Sequence, residues 1–286
     1  MPHSMHLVGD IKEGESKRIV HNMGMSNLPA GAQVVGRLAT VLRTVSASMP
    51  QGITTSEAAR AAGLARPTVH RLLSALATEG FCDHDRKTGK WLLGPELYLM
   101  GAVAAERYDI SELAREHVTA LAEATGESAF LSARRSDETV CLLRQDGAFP
   151  IRSFVLYEGR RFPLGVASAG MAILAFLPEE SMKRYLASAQ LEAEYGSAHS
   201  AKELRKKIAE TRKAGYSINP GLIVEGSWGM GAAVFDSSGQ PAWALSLTGI
   251  HTRFEQERRE ELGQLLLHHA HELSTKLAAR TSGARM

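Results

Sequence analysis

From residue 32 onward, apolar positions at helical spacing alternate with short extended runs broken by glycine, proline and turn residues. Val34, Val35, Leu38, Val41, Leu42 and Val45 recur every three or four residues, which predicts an amphipathic helix over 32–49 that Pro50 and Gly52 break. Thr54 or Thr55 then offers a hydroxyl to an orphan amide as the N-cap of a helix over Ser56–Ala62, and Gly63 stops it. A third helix is predicted from Pro67 to about Glu79, with proline first, where its missing N–H costs nothing. Gly80 ends that helix. Phe81–His84 and Trp91–Leu93 predict two short strands around the basic, turn-rich loop 85–90, and a linking helix follows over Glu96–Arg107.

The pattern then becomes mixed. Ser111–Thr125 predicts a helix, Ser128–Arg134 and Thr139–Gln145 a strand pair across 135–138, and Ile151–Leu156 another strand. Helices are predicted over Ala167–Leu177, Pro178–Ala189 and Ala201–Ala214, then a hairpin of Gly231–Asp236 with Ala242–Thr248, and a closing helix over Glu255–Ala279. Hairpins interleaved with helices argue for an antiparallel α+β domain rather than a doubly wound parallel sheet. Residues 1–30 carry no periodicity and read as a disordered tail.

Composition adds boundaries. Across 286 residues, 44% are hydrophobic and 22% charged, an ordinary globular balance with room for two cores. No run of about 18 apolar residues exists to span a membrane, and the first residues lack a signal-peptide layout, so a cytoplasmic protein is expected. Cys82 and Cys141 are too few for a disulfide framework and lack metal-type spacing; both read as small buried side chains. No cofactor is expected.

The net charge of +2 matters only once it is divided. Residues 31–94 hold eight bases against four acids, while the tail balances and the remainder is slightly acidic. The positive charge thus sits in the short N-terminal domain, as phosphate binding requires. Within it, Ala59, Gly63 and Val69 are the small or turn-tolerant residues that let two helices cross steeply, and Ala58, Ala62, Leu64, Leu72, Leu73 and Leu76 supply the buried face. Thr68, Arg71 and Ser74 then face outward, with Arg66, Pro67 and His70 near the helix start. An arginine for guanine edges or phosphates, with hydroxyl and imidazole groups beside it, suits a major-groove helix. Lys87 and Lys90 would grip phosphate from the wing loop.

These residues resemble the IclR family of bacterial regulators. The stretch from Glu57 to Leu73 is similar to that family's helix-turn-helix signature, and further matches are Lys90–Gly94, Phe162-Pro163-Leu164, Ala232–Asp236 and Ser246–Gly249, spread in order over about residues 32–280. The resemblance implies a winged helix-turn-helix DNA-binding domain (31–94), a linker helix (95–109) and a GAF-like effector-binding domain (110–280). It further implies a dimer or dimer of dimers on double-stranded operator DNA. The same resemblance puts effector contacts at the backbone of Ser168 and Ala169, where a helix start favours an anion. It puts polar contacts at Asn219, Gly229, Ser246 and Thr248, and a lining at Ile151, Phe154, Phe162 and Ser227. Departures from the family stand at Gly165, at Gly170-Met171 and at 219–222, and Trp228 enters the following loop, where it either lines the pocket or packs in the core or a dimer interface. Together they suggest a less charged, roomier pocket for a small organic acid, aromatic or otherwise mostly apolar.

Three other readings stand beside this one. Ser168 lies in a stretch superficially like a serine-nucleophile turn, but Val166 occupies the place of its first glycine and no His/Asp pair is placed by motif. His268, His269 and His271 on the last helix could serve a metal-responsive regulator, His268 and His271 sharing a face, although no Cys or acid partner is fixed by spacing. The winged helix could also serve protein or RNA contact.

Overall fold

The computed structural model describes residues 32–105 and 110–283. The expected tail lies outside them, as do residues 106–109 of the expected linker. The chain divides into two units, Met1–Arg107 and Tyr108–Met286.

In the first unit, α1 (Ala32–Ser46) buries Val41 and Val45 against Ala58, Val69 and Leu73. Strand β1 (Ile53–Thr54) leads into α2 (Thr55–Ala62), where Thr54 is the N-cap in a reciprocal capping box with Glu57. That box satisfies two backbone donors at once. Gly63 takes the left-handed conformation (φ 64°) that ends α2 and turns the chain into α3 (Arg66–Thr78). Strands β2 (Cys82–Asp85) and β3 (Lys90–Leu93) form the wing, and β1 pairs with the far side of β3, giving the order β1-β3-β2. The sequence pattern did not reveal β1, because two residues carry no periodicity and their partner, Trp91 opposite Ile53, is distant in the chain. Helix α4 (Pro95–Ala105) follows within the same unit.

The second unit is a six-stranded antiparallel sheet with helices on both faces. Its elements are α5 (Ile110–Thr125), β4 (Ser128–Arg135), β5 (Glu138–Gln145), β6 (Arg161–Pro163), α6 (Ser168–Ala175), α7 (Glu179–Ser188), α8 (Leu191–Tyr195), α9 (Ala201–Ala214), β7 (Tyr216–Pro220), β8 (Ser227–Phe235), β9 (Pro241–Ile250) and α10 (Gln256–Gly283). The strand order is β6-β5-β4-β9-β8-β7. Alternation divides the sheet. Ala129, Leu131, Met230, Ala232, Val234, Leu245 and Leu247 form one apolar face against Val118 and Leu121 of α5 and Leu262, Leu266 and Leu273 of α10. The opposite face of the same strands carries Ser132, Gly229, Gly231, Ser246 and Thr248, and there α6 lies over β8 and β9.

The structure corrects the expected strand at Ile151–Leu156, which is irregular. Arg152 reaches back to Asp146 at 2.9 Å, and Ser153 bonds Ser227 through its hydroxyl at 2.6 Å, so the segment is held by side chains. The edge of β5 pairs instead with β6, Thr139 opposite Phe162. Strand β7 and the first residues of β8 were also missing from the sequence reading, because Ser-Trp-Gly-Met-Gly reads as loop.

One charged cluster ties the sheet to its ends. Glu127, 1% exposed, accepts from Arg253 Nε at 2.5 Å and Arg258 Nη1 at 2.8 Å. Both guanidiniums also donate to the Thr125 carbonyl, so α5, β4 and the start of α10 share one knot. A buried carboxylate whose lone pairs are filled by cations is costly to break from one side. Glu127→Ala should therefore destabilise this unit by about 3 kcal/mol. Urea unfolding followed by tryptophan fluorescence checks it, and a shift below about 0.5 kcal/mol, the scale of an ordinary surface change, would contradict the assignment.

Candidate functional site

On the first unit, α3 presents Arg66, Pro67, His70 and Arg71 to solvent, while Thr68 and Ser74 are half-buried beside them. Val69, Leu73 and Leu76 anchor the opposite face. The wing turn is built locally: Asp85 accepts from the Lys87 amide at 2.8 Å and the Thr88 hydroxyl at 2.7 Å. Those bonds hold the Asp85 carboxyl below its usual range, the Thr88 hydroxyl first among the causes. Arg86 and Lys87 are left exposed at the tip. Lys90 departs from the sequence reading. Its ammonium donates to the Gln51 carbonyl at 3.0 Å, so it ties the wing to the α1–α2 connection rather than projecting from the tip. His84, unremarked in the sequence, is exposed and stacks on Trp91 at 4.3 Å, with His70 edge-on to the same ring at 6.5 Å. The indole is fixed by its own bond to Thr55 at 2.9 Å. Arginines at a helix start, two histidines braced by one indole and a basic wing tip make a surface of donors suited to phosphates and base edges.

On the second unit, a cavity of about 440 Å³, open space at its mouth included, lies where α6 starts over the polar sheet face. Gly229 and Gly231 of β8 permit this approach. A Cβ on Gly229 would stand 3.1 Å from Ser168 Oγ, and one on Gly231 only 3.0 Å from the Ser168 carbonyl. At Gly231 the atoms met are backbone of the helix start itself, so a side chain there would crowd it directly, whereas at Gly229 the nearest atom is the rotatable Ser168 hydroxyl. Ser217 donates to the same Ser168 carbonyl at 2.7 Å, and Asn219 donates to the Val166 carbonyl at 2.7 Å while accepting from the Leu222 amide at 3.0 Å. Asn219 therefore borders the cavity with both ends of its amide already bonded.

Of the residues singled out from sequence, Ser168, Ala169, Asn219, Gly229, Thr248, Phe162, Ser227 and Trp228 border this cavity. Ser246 lies two residues before Thr248 on the same strand face but is fully buried behind the wall. Ile151 and Phe154 do not border it. They are 57% and 73% exposed, because the irregular segment turns Val155 and Leu156 inward instead. Ser132, Thr139, Val155, Leu156, Ala167 and Ile223 complete the wall and were missed; strand alternation in β4 is a sequence signal that could have found Ser132.

Trp228, open in the sequence between pocket lining and packing in the core or a dimer interface, borders the cavity while its ring packs elsewhere. By the alternation of β8 its ring belongs to the α10 face, 6.4 Å from the Phe254 ring and 5.2 Å beneath the Arg259 guanidinium. Gly165 and Gly170 do not widen the cavity either. A Cβ at Gly165 would meet Leu204 and Leu174 at 3.1 and 3.2 Å, and one at Gly170 would meet the backbone of Pro163–Gly165 at 3.3 Å.

The cavity wall carries no charged side chain. Ser246 Oγ and Thr248 Oγ1 are buried hydroxyl atoms with no hydrogen-bond partner among the described residues. A buried hydroxyl without a partner costs stability, and of the two only Thr248 borders the cavity, where a water or a polar ligand group would satisfy it.

The three histidines of α10 part company. His271 is exposed, His268 is near Glu272 at 3.5 Å, and His269 turns inward to His117 of α5. No helix among the described residues is long and apolar enough to cross a membrane.

Comparisons with known proteins agree across both units. Residues 34–86 match the family profile described as the IclR helix-turn-helix domain, and residues 102–275 match that of the bacterial transcriptional regulator IclR C-terminal domain. The chain is similar to the HTH-type transcriptional regulator BhcR of Paracoccus denitrificans, 28% identical over 251 residues, which cover 87% of this chain and 89% of that protein. Its fold is similar to the crystal structure of an IclR transcriptional regulator from Alicyclobacillus acidocaldarius, with a TM-score of 0.71, 25% identity, and coverage of 85% and 97%. It also shares the fold of an IclR homologue from Microbacterium hydrocarbonoxydans complexed with 4-hydroxybenzoate, with a TM-score of 0.70, 22% identity, and coverage of 86% and 99%. A helix-turn-helix with a basic wing, and a six-stranded antiparallel domain with a cavity at one helix start, are thus explained together: the chain belongs to the IclR family, whose members are DNA-binding transcriptional regulators with an effector-binding C-terminal domain and not enzymes.

Proposed function

We propose that this regulator reads a two-fold operator in double-stranded DNA through α3, and that a small, mostly apolar organic acid bound beside α6 controls its affinity. Arg66, Arg71 and His70 would meet base edges and phosphates, Thr68, Ser74 and Pro67 would shape the approach, and Lys87 would grip the backbone from the wing. Lys90 would act indirectly, through its hold on Gln51.

The acid reading rests on one observation: an uncharged cavity that combines the first-turn amides of α6 with the unpartnered Thr248 hydroxyl. Backbone N–H groups at a helix start favour a carboxylate without a paired cation. Leu156, Phe162, Val155 and Ile223 supply apolar wall for the rest of the molecule. Control follows if the ligand binds one arrangement of the two units better than another, since only differential affinity shifts an equilibrium.

Self-association is supported by apolar side chains left bare on the first unit. Tyr98, Leu99, Met100 and Val103 of α4 and Val34 and Val35 of α1 are all more than half exposed. Exposed large apolar groups in such number mark an interface with a second copy.

Replacing both Arg66 and Arg71 by alanine should cost roughly 1–3 kcal/mol per lost base contact, thus at least tenfold in specific operator affinity. Fluorescence anisotropy with operator and scrambled duplexes checks this; unchanged discrimination would remove α3 from the readout. Thr248→Val should leave the free protein as stable or slightly more so, because it deletes an unpartnered buried hydroxyl. In calorimetric titration with benzoate-type acids, 4-hydroxybenzoate first, the same variant should bind about tenfold more weakly, whereas Ser168→Ala should bind nearly as wild type. Equal losses from both would mean that side chains, not α6 amides, hold the carboxylate. Leu99→Asp with Val103→Asp should shift the sedimentation profile toward monomer.

A further inference from the structure

A second cluster lies on the other side of the sheet, away from the cavity, where α5 meets α10. His117 of α5 is 2% exposed, yet its Nδ1 stands 3.1 Å from His269 Nδ1 and 3.7 Å from Glu272 Oε2. The three ligand-type atoms fall within 4.8 Å of one another. His269 and Glu272 are three residues apart on α10, hence on one helical face. Packing of α5 against α10 supplies the third group from 152 residues away, which is why spacing along α10 alone pointed to His268 and His271 instead.

We infer that His117, His269 and Glu272 form a divalent transition-metal site of the zinc class, clipping the first helix of the effector unit to its last. Zinc binds imidazole nitrogen and carboxylate oxygen at about 2.0–2.2 Å, so two ligands at a tetrahedral angle stand about 3.3 Å apart. The observed 3.1 and 3.7 Å bracket that separation with little movement required. Two nitrogens and one oxygen are a borderline donor set, suited to zinc, cobalt or nickel rather than to calcium or magnesium. Glu272 is 45% exposed, leaving the fourth position open to water. His268, 3.5 Å from the other Glu272 oxygen, lies close enough to orient that carboxylate.

Lys276 makes the site conditional. Its ammonium donates to His117 Nε2 at 3.2 Å and also reaches Glu116 at 3.1 Å. While it donates to Nε2, the His117 proton must sit on Nδ1, pointing at His269 in a hydrogen bond. Metal binding requires that proton to move to Nε2 and Lys276 to withdraw to Glu116. The ion and the lysine therefore compete for one imidazole.

Tag-free, chelator-treated full-length protein titrated with Zn²⁺ should bind one equivalent and unfold at a higher temperature, since an ion that binds only the folded state stabilises it. Co²⁺ should give the visible absorption bands of a low-coordinate N/O site. His269→Gln, half-buried and tolerant of an amide, should weaken Zn²⁺ binding at least tenfold, while His271→Gln should not. Lys276→Met should tighten it, a response that general surface binding by histidines would not show. Stoichiometric binding that survives His269→Gln, or no saturable binding at all, would overturn the site and leave a plain His–His hydrogen bond. The outcome is separable from the cavity proposal, whose ligand and variants lie on the opposite sheet face.

Discussion

The second unit is organised around the close approach of the α6 start to β8. Two glycines, Gly229 and Gly231, bring a helix terminus to van der Waals contact with a strand backbone, about 3 Å from where their side chains would begin. Helix starts carry free amides and a partial positive charge, and sheet faces normally keep them at side-chain distance. Removing two side chains lets the helix start border the same cavity as Thr248, with Ser217 and Asn219 pinning the Ser168 and Val166 carbonyls. The cavity wall carries no charged side chain among its lining residues, which come from the strands, the start of α6 and the irregular segments beside them.

The same strands serve two purposes because neighbouring residues point opposite ways. Met230, Ala232, Leu245 and Leu247 pack against α5 and α10, while their neighbours Gly229, Gly231, Ser246 and Thr248 face α6. One face carries the packing energy, so the other is free to be small and polar. The Glu127–Arg253–Arg258 knot then fixes where α10 begins relative to that packed face, and the histidine–glutamate cluster lies farther along the same pair of helices.

Much of the first unit could be read directly. The threonine N-cap, Gly63 and Pro67 are local signals; the structure settles the cap at Thr54 and adds its capping box with Glu57, because caps and tight turns are satisfied within four or five residues. Lys90 shows the limit: its charge is visible in sequence, but its bond to Gln51 depends on β1 closing against β3. In the second unit α9 was legible for the same local reason, since Ser200 accepts from the Glu203 amide and Gly215 closes the helix in the left-handed region. The expected strand at 151–156 failed because the segment is held by side-chain bonds, Arg152 to Asp146 nearby and Ser153 to Ser227 some way along the chain, rather than by strand pairing.

Most of the helices, the main hairpins, the concentration of positive charge in the first unit and the regulator family were thus present in residue pattern and local chemistry, whereas β1, β6, α8 and β7 were not. Which residues share a cavity was not, because that depends on strand register and on which face a helix start covers. Trp228 is the plainest case. Its position left pocket lining and core packing equally open, and while the residue borders the cavity, period-two alternation turns its ring to Phe254 and Arg259 on the other side of the sheet. His117 is the complementary case, an unremarkable histidine in an amphipathic helix until α10 brings His269 and Glu272 to it. Contacts closed over a few residues are written in the sequence; those closed across the sheet arise only when the strands have chosen their register.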